Sequence, residues 1–179
     1  MARLKTPKTT AFIAGLCKSA GVKLREFKSP EQFEKEVIRF IENNDMVYLA
    51  TSRNDIPRCT PLGYYSQGTT LYILTEGGGK LVNLKANDRF SYAIGFRPNG
   101  QQGIMKVAGL QCWGRATVLS MKKDPEQFGQ LMQTLGVARN LEAQGAELPP
   151  FHYRFIKLVP YKIRFLNLGE GINNVTWSR

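Results

Sequence analysis

The chain has 179 residues, 42% hydrophobic and 22% charged, the balance of a globular protein rather than a disordered one. No apolar run approaches the roughly 20 residues that a bilayer-spanning helix needs, so a membrane span is excluded and a cytoplasmic location is expected. The formal net charge of +11 gives a surface that attracts anions at neutral pH.

Much of that charge lies at the start. Arg3, Lys5, Lys8, Lys18, Lys23, Arg25 and Lys28 face only Glu26 within the first 28 residues. Residues 1–28 are read as a basic N-terminal extension, a solvated tail with one short helix around Thr10 to Ala20, in preference to an organelle transit sequence. No continuous apolar h-region of a secretory signal is present near the start. Residues 29–179 are read as a single domain.

Ser29-Pro30-Glu31-Gln32 offers an N-cap serine, a proline at the first helical position and a glutamine at the capping-box position. Phe33, Val37, Phe40 and Ile41 follow at helical spacing, and Asn43-Asn44-Asp45 ends the helix. Met46 to Thr51 then reads as a strand, Arg53-Asn54-Asp55 as a turn, and Arg58 to Tyr65 as the hairpin partner. After a turn at Gln67-Gly68, Thr69 to Thr75 is a third strand, rich in β-branched and aromatic residues.

Gly77-Gly78-Gly79 breaks the pattern, and Lys80 to Ala86 reads as a short helix with Leu81 and Leu84 on one side. Arg89 to Phe96 is a fourth strand and Arg97 to Gly100 a loop. Met105 to Ser120 is a long strand in which Gly109 and Gly114 mark bulges. A helix from Asp124 to Leu135 buries Phe128, Leu131, Met132 and Leu135, and Ala138 to Gln144 adds a further turn or two. Phe151 to Val159 and Tyr161 to Leu168 read as two strands parted by Pro160.

Six or so strands joined by short turns favour antiparallel pairing and a closed or partly closed barrel. The fold class is therefore mainly β (α+β), an antiparallel split β-barrel with a few peripheral helices. A dinucleotide-binding doubly wound fold is excluded, since neither βαβ alternation nor GxGxxG is present. Cys17, Cys59 and Cys112 form no CxxC pair, and with His152 as the lone histidine no metal site of the usual kind is expected.

Two stretches carry candidate chemistry. An arginine such as Arg58, near the start of a strand, can present its planar fork to a phosphate, although alone it also reads as an exposed strand residue. The second stretch is Thr75-Glu76-Gly77-Gly78-Gly79-Lys80. Its glycines let backbone N–H groups turn inward as an anion nest, and the following helix presents its N-terminus to the same anion. A lysine in a first helical turn opposes the helix dipole, and a bound phosphate compensates it. Leu81 stands where a GxxxxGK[ST] loop requires Ser or Thr, which disfavours a nucleoside triphosphatase of that class.

Taken together, several segments resemble the pyridoxamine 5′-phosphate oxidase-like family of FMN-binding split barrels. They are Val47 to Thr51, Ile56 to Leu62, Leu71 to Thr75, Lys80, Asn83 to Arg89, Val107 to Leu119 with Gly114-Arg115-Ala116, and Val159 to Ile163. The resemblance runs from about Phe33 to Trp177. It implies that Arg58 and Lys80 hold the phosphate of FMN, with Thr75 and Gly79 at the phosphate end. Main-chain groups of Cys59, Thr60, Pro61 and Leu62 would lie beside the flavin ring, and Asn83 near the same pocket. It also implies a homodimer with cofactor at the interface, where Gln111, Trp113 and Trp177 are candidates to cover the ring from the second subunit.

The expected function is an FMN-dependent oxidoreductase acting on an unidentified small substrate or electron acceptor, with no catalytic acid or base assigned. Tyr64, Tyr65 and His152 are the nearest candidates for that role, and core packing is the plainer reading of each. Two alternatives stand beside this function. One is a flavin-binding, haem-binding or F420-binding protein without turnover. The other is a basic nucleic-acid-binding barrel using Tyr48, Tyr64, Tyr65, Tyr72, Tyr92 and Phe96, which is not favoured because those aromatics alternate as core residues would. The vitamin B6 oxidase carries a C-terminal segment rich in Trp, Arg and His, whereas this chain ends Asn174-Val175-Thr176-Trp177-Ser178-Arg179. B6 oxidation is therefore not expected.

Overall fold

The computed structural model describes residues 2–96, 103–146 and 152–179. The loop expected at Arg97–Gly100 and the strand start expected at Phe151 lie outside them. In chain order the elements are β1 (Arg3–Lys5), α1 (Ala11–Ser19), α2 (Pro30–Glu42), β2 (Met46–Arg53), β3 (Ile56–Gly63), β4 (Tyr65–Gln67) and β5 (Thr70–Thr75). They continue with α3 (Gly79–Ala86), β6 (Arg89–Phe96), β7 (Ala108–Ser120), α4 (Pro125–Thr134), α5 (Val137–Ala143), β8 (Arg154–Asn167) and β9 (Ile172–Ser178). Short 3-10 turns at Ile104–Lys106 and Leu168–Glu170 precede β7 and β9. No helix among the described residues is long and apolar enough to cross a membrane.

All pairings are antiparallel, in the order β1-β9-β8-β7-β6-β2-β3, with β5 pairing both β4 and β8. Strand β8 sets the architecture. Its first half pairs with β5 from Arg154 to Leu158, and its second half pairs with β9 from Lys162 onward. The two neighbours exchange at Pro160, where the ladder to β7 also shifts register between Trp113 and Gly114. A proline lacks the N–H that an unbroken ladder uses, and a bulge is where sheets tolerate one. What the sequence suggests as two strands is thus one strand, bent at its proline. Gly114 belongs to that bulge, whereas Gly109 pairs regularly with Gly95 and Leu166. Among the described residues β3 pairs only with β2, and β4 covers β5 only over Thr70–Tyr72, so the barrel is split between β3 and the end of β5.

The core follows the sequence pattern. In α2, Ser29 Oγ accepts from the Gln32 N–H at 3.4 Å, and the Gln32 side chain accepts from the Lys28 N–H at 2.9 Å. The glutamine therefore reaches one residue beyond its usual capping-box partner. Phe33, Val37, Phe40 and Ile41 are buried against the barrel interior, with the Phe40 ring 4.9 Å from that of Phe165. Each such side chain contributes about 1.5–3 kcal/mol by leaving water. A second cluster gathers Tyr72, Phe128, Val137, Tyr153 and Phe155 beneath α4 and α5.

Part of the N-terminal segment joins the sheet. Arg3, Leu4 and Lys5 pair with Ser178, Trp177 and Thr176 of β9, and Ala2, Leu4 and Phe27 pack on the main core. The Arg25 N–H donates to the Gly171 carbonyl at 2.8 Å, and the Arg25 side chain pairs with Glu36. Gly171 is required here. Its φ is +75°, and a Cβ would run into the Lys23 carbonyl.

Candidate functional site

At the gap between β3 and β5, Arg58, Thr75, Gly79 and Lys80 come together. Buried β2 residues alternate at Val47, Leu49 and Thr51, and their partners Leu62, Thr60 and Arg58 on β3 share that inward face. Arg58 therefore projects where the barrel opens and lies over the start of α3. A Cβ added to Gly79 would sit 2.9 Å from an Arg58 terminal guanidinium nitrogen. Only glycine lets the guanidinium rest this close on the helix start. Cys59 and Pro61 alternate to the outer face, so only their main-chain groups reach the Arg58 side; Cys59 is an exposed free thiol.

The strand-to-helix loop folds tightly around one carbonyl. Lys80 Nζ donates to the Gly77 oxygen at 2.8 Å, and Thr75 Oγ1 donates to the same oxygen at 3.3 Å. Gly78 caps the helix at φ +103° without a side-chain hydrogen bond, and the first turn holds no acid. By contrast, Thr10 and Ser29 cap α1 and α2 with their hydroxyls. The α3 N-terminus thus keeps free backbone N–H groups and an uncompensated dipole.

Electrostatics set this corner apart. Lys80 is only 9% exposed, and its ammonium is held below the ordinary lysine pKa, first by burial and then by the nearby Arg58 charge. The ion pairs among the described residues are Arg25–Glu36, Arg39–Glu36, Arg39–Glu170 and Arg115–Asp88; none involves Arg58 or Lys80. Two cations and a helix N-terminus converge here without a carboxylate paired to them among the described residues.

Asn83 is committed elsewhere. Its amide donates to Thr51 Oγ1 at 3.1 Å, and one turn on, Asn87 donates to Ser52 Oγ at 3.3 Å. These bonds pin α3 against β2 and fix where Lys80 stands. Sequence reasoning missed Thr51, whose signal was the inward parity of Val47, Leu49 and Thr51. It also missed Tyr153, which lines a hollow of about 670 Å³ with Leu74, Thr75, Glu76 and Gly77. Tyr153 donates to Glu76 Oε1 at 3.1 Å, and burial together with that carboxylate raises its phenol pKa. The bond occupies the one acid of the loop and turns it toward β8.

The remaining candidates fall outside this corner. Tyr64 is half-buried, donates to the Ile41 carbonyl at 2.6 Å and has its pKa pushed well up by burial; it ties α2 to the barrel. Tyr65 packs on the second cluster, and His152 is exposed. Trp177 is fully buried in the main core, which corrects its candidacy for covering a ring in a partner subunit. Gln111 and Trp113 face outward on β7. Of the strand aromatics suggested for base stacking, Tyr72 and Tyr92 are buried, Tyr64 and Tyr65 partly so, and Tyr48 is exposed. The Phe96 side chain lies outside what is described.

This split-barrel fold has known counterparts. The family profile of pyridoxamine 5′-phosphate oxidase matches residues 33–167, and the chain belongs to that family. No curated protein matches the chain. Among solved structures it is similar to a protein from Listeria innocua provisionally named a pyridoxamine 5′-phosphate oxidase, at 21% identity, 75% coverage of this chain, 98% of that one, and TM-score 0.58. It is also similar to a FAD-binding protein from Mesorhizobium loti (17% identity, 81% and 93% coverage, TM-score 0.57). A third is a heme storage protein from Vibrio cholerae (16%, 71% and 89%, TM-score 0.56). At these identities the likeness establishes the fold.

Proposed function

We propose that this chain binds FMN at the β3–β5 gap and works as a flavin-dependent oxidoreductase on a small substrate. The observation that carries the reading is the pairing of Arg58 with Lys80 over an uncapped helix N-terminus, with no ion-pair partner for either among the described residues. A phosphate monoester matches that arrangement. Arg58 offers a planar fork, Lys80 a point charge and α3 its free N–H groups. Thr75 Oγ1 and Lys80 Nζ share the Gly77 carbonyl, which holds the loop in place. Bound FMN supplies a hydride-accepting ring, which leaves the chain to bind, orient and shield it.

The family's structural relatives include a FAD-binding and a heme storage protein, so the choice of cofactor rests on this chain's own residues. Haem iron is commonly held by histidine; the sequence has one, His152, which is exposed. The phosphate-type cradle at Arg58 and Lys80 favours FMN.

The proposal extends to a homodimer. Strand β3 pairs with β2 along one side and with no described strand along the other. The hairpin also leaves large apolar side chains in water, with Ile56 71%, Tyr48 48% and Met46 46% exposed. A second copy covering this hairpin would bury them and close the flavin site.

The test is the visible absorption spectrum of the purified chain before and after adding FMN. Oxidised-flavin bands that stay with the protein on gel filtration support the proposal, and their loss in Arg58→Ala/Lys80→Ala supports the cradle. A colourless protein that retains no added FMN contradicts it. Steady-state assays with NADH or NADPH and a panel of acceptors then separate an enzyme from a flavin carrier.

A further inference from the structure

A second concentration of positive charge lies on the other face of the sheet, four strands away from Arg58 around the order β3-β2-β6-β7-β8. A hollow of about 830 Å³ is lined by Arg3, Lys5, Lys162, Arg164 and Trp113, among others, and no acidic side chain among the described residues lines it. Register explains the convergence. Arg3 and Lys162 both pair with Ser178, and Lys5 and Arg164 both pair with Thr176. Cross-strand partners share a face, so the four cations form two adjacent rows. None of them takes part in an ion pair among the described residues. Strands β1 and β9 lie outside the family-matched residues 33–167, so half of this charge is brought by chain that the family pattern does not include.

Two of the groups are positioned. Arg164 Nε donates to Asn174 Oδ1 at 3.0 Å, while the Asn174 amide donates to Asn173 Oδ1 at 3.3 Å. Asn174 holds a left-handed backbone (φ +49°) within β9, a conformation that asparagine tolerates better than most residues. This contact uses the inner nitrogen of the guanidinium and leaves its outer fork available. Lys162 Nζ lies 4.9 Å from the centroid of the Trp113 ring, a cation–π contact that keeps the indole at the wall of the hollow.

We propose that this hollow is a second anion site, built for a small organic polyanion with two or more carboxylate or phosphate groups. Lys162 and Arg164 stand about 7 Å apart along β8, a span that two anionic groups of one molecule bridge and a single small ion does not. Arg3 and Lys5 close the far side, and Trp113 gives a flat apolar wall for the ligand's carbon skeleton. A single-stranded nucleic acid would need cations and stacked rings continuing along a groove. Here the two rows run out instead into uncharged residues, Trp113 to Ser91 to Ala50 and Gln111 to Ala93 to Tyr48. The proposal gives Trp113 to this hollow rather than to the cover of a partner's flavin ring, and it uses neither Arg58 nor Lys80.

The test titrates citrate, inorganic pyrophosphate and inorganic phosphate separately into the full-length protein. Trp113 fluorescence is the readout, since the other tryptophan, Trp177, is buried. Saturable binding of citrate or pyrophosphate, tighter than that of phosphate, is expected, and which of the two wins tells carboxylate from phosphate chemistry. Lys162→Gln/Arg164→Gln should weaken it by about tenfold or more, the loss of charged hydrogen bonds, while Arg58→Ala/Lys80→Ala leaves it unchanged. Trp113→Phe should abolish the fluorescence change but not the thermal stabilisation by the probe. Equal binding by the Lys162/Arg164 variant, or no preference over phosphate, overturns the proposal. So does a short single-stranded oligonucleotide that displaces the probe with higher affinity and a steep salt dependence, which would make the face a nucleic-acid surface.

Discussion

Lys80 is buried beside another cation, and its lowered pKa records the cost. A lysine whose folded-state pKa falls below its unfolded value carries a penalty wherever it is protonated. That penalty is full below the folded pKa and vanishes as pH rises past the unfolded one. At neutral pH the penalty is present, and a bound anion offsets it. Lys80→Met is therefore expected to hold or raise the melting temperature of the protein alone while removing the stabilisation given by FMN. Thermal melts with and without FMN check both halves. FMN affinity should also decline with rising pH earlier than an ordinary lysine would cause, as Lys80 loses its proton. Gly79→Ala separates geometry from charge. Its Cβ would meet the flexible end of Arg58, so the guanidinium turns aside and the fold survives. One charge-assisted contact of about 1.5–3 kcal/mol is lost, and a fluorescence titration should show FMN affinity about tenfold weaker or more.

Among elements, the contrast between α3 and the two capped helices explains how the candidate site could be read in sequence. A triple glycine leading into a helix with lysine at its start is a local signal, and Arg58, Thr75, Gly79 and Lys80 do meet in the structure. The Thr51–Asn83 and Glu76–Tyr153 bonds join residues 32 and 77 positions apart, and no local pattern announces them. Strand β9 was hidden for a different reason. Its buried residues Ile172, Val175 and Trp177 break strict alternation, because left-handed Asn174 and a register shift on β8 interrupt the pleat. Strand β1 is three residues long and is visible only through its partner. Deleting residues 1–28 is expected to cost about 2–4 kcal/mol by exposing the core under Leu4 and Phe27, measured by urea unfolding. An unchanged midpoint would mean that the β1–β9 pairing adds nothing.

Across the whole molecule, one continuous antiparallel sheet carries both anion-attracting regions, on opposite faces. The inward face opens between β3 and β5 at Arg58, and the outward face gathers Arg3, Lys5, Lys162 and Arg164. The barrel, its antiparallel order and the peripheral helices were legible from strand composition and turn spacing. The bend of β8 at Pro160 was not, because it depends on β5 and β9 exchanging along one edge. Dimerisation belongs to this scale. Light scattering should give twice the chain mass of 20.2 kDa, and Tyr48→Glu/Ile56→Lys should give the single-chain mass with weakened FMN binding. A monomeric wild-type protein would contradict the interface.

The phosphate cradle is tested most directly by comparing FMN with riboflavin, which differ only in the phosphate, in equilibrium titrations of the wild-type protein and of Arg58→Ala/Lys80→Ala. FMN should bind the wild type at least about a hundredfold more tightly than riboflavin, as two charge-assisted contacts of about 1.5–3 kcal/mol each require. The variant should lose most of that preference, keeping only what the uncapped α3 N-terminus contributes. Equal affinity of the wild type for both flavins, or an FMN preference that survives undiminished in the variant, would contradict the assignment of Arg58 and Lys80 to the phosphate.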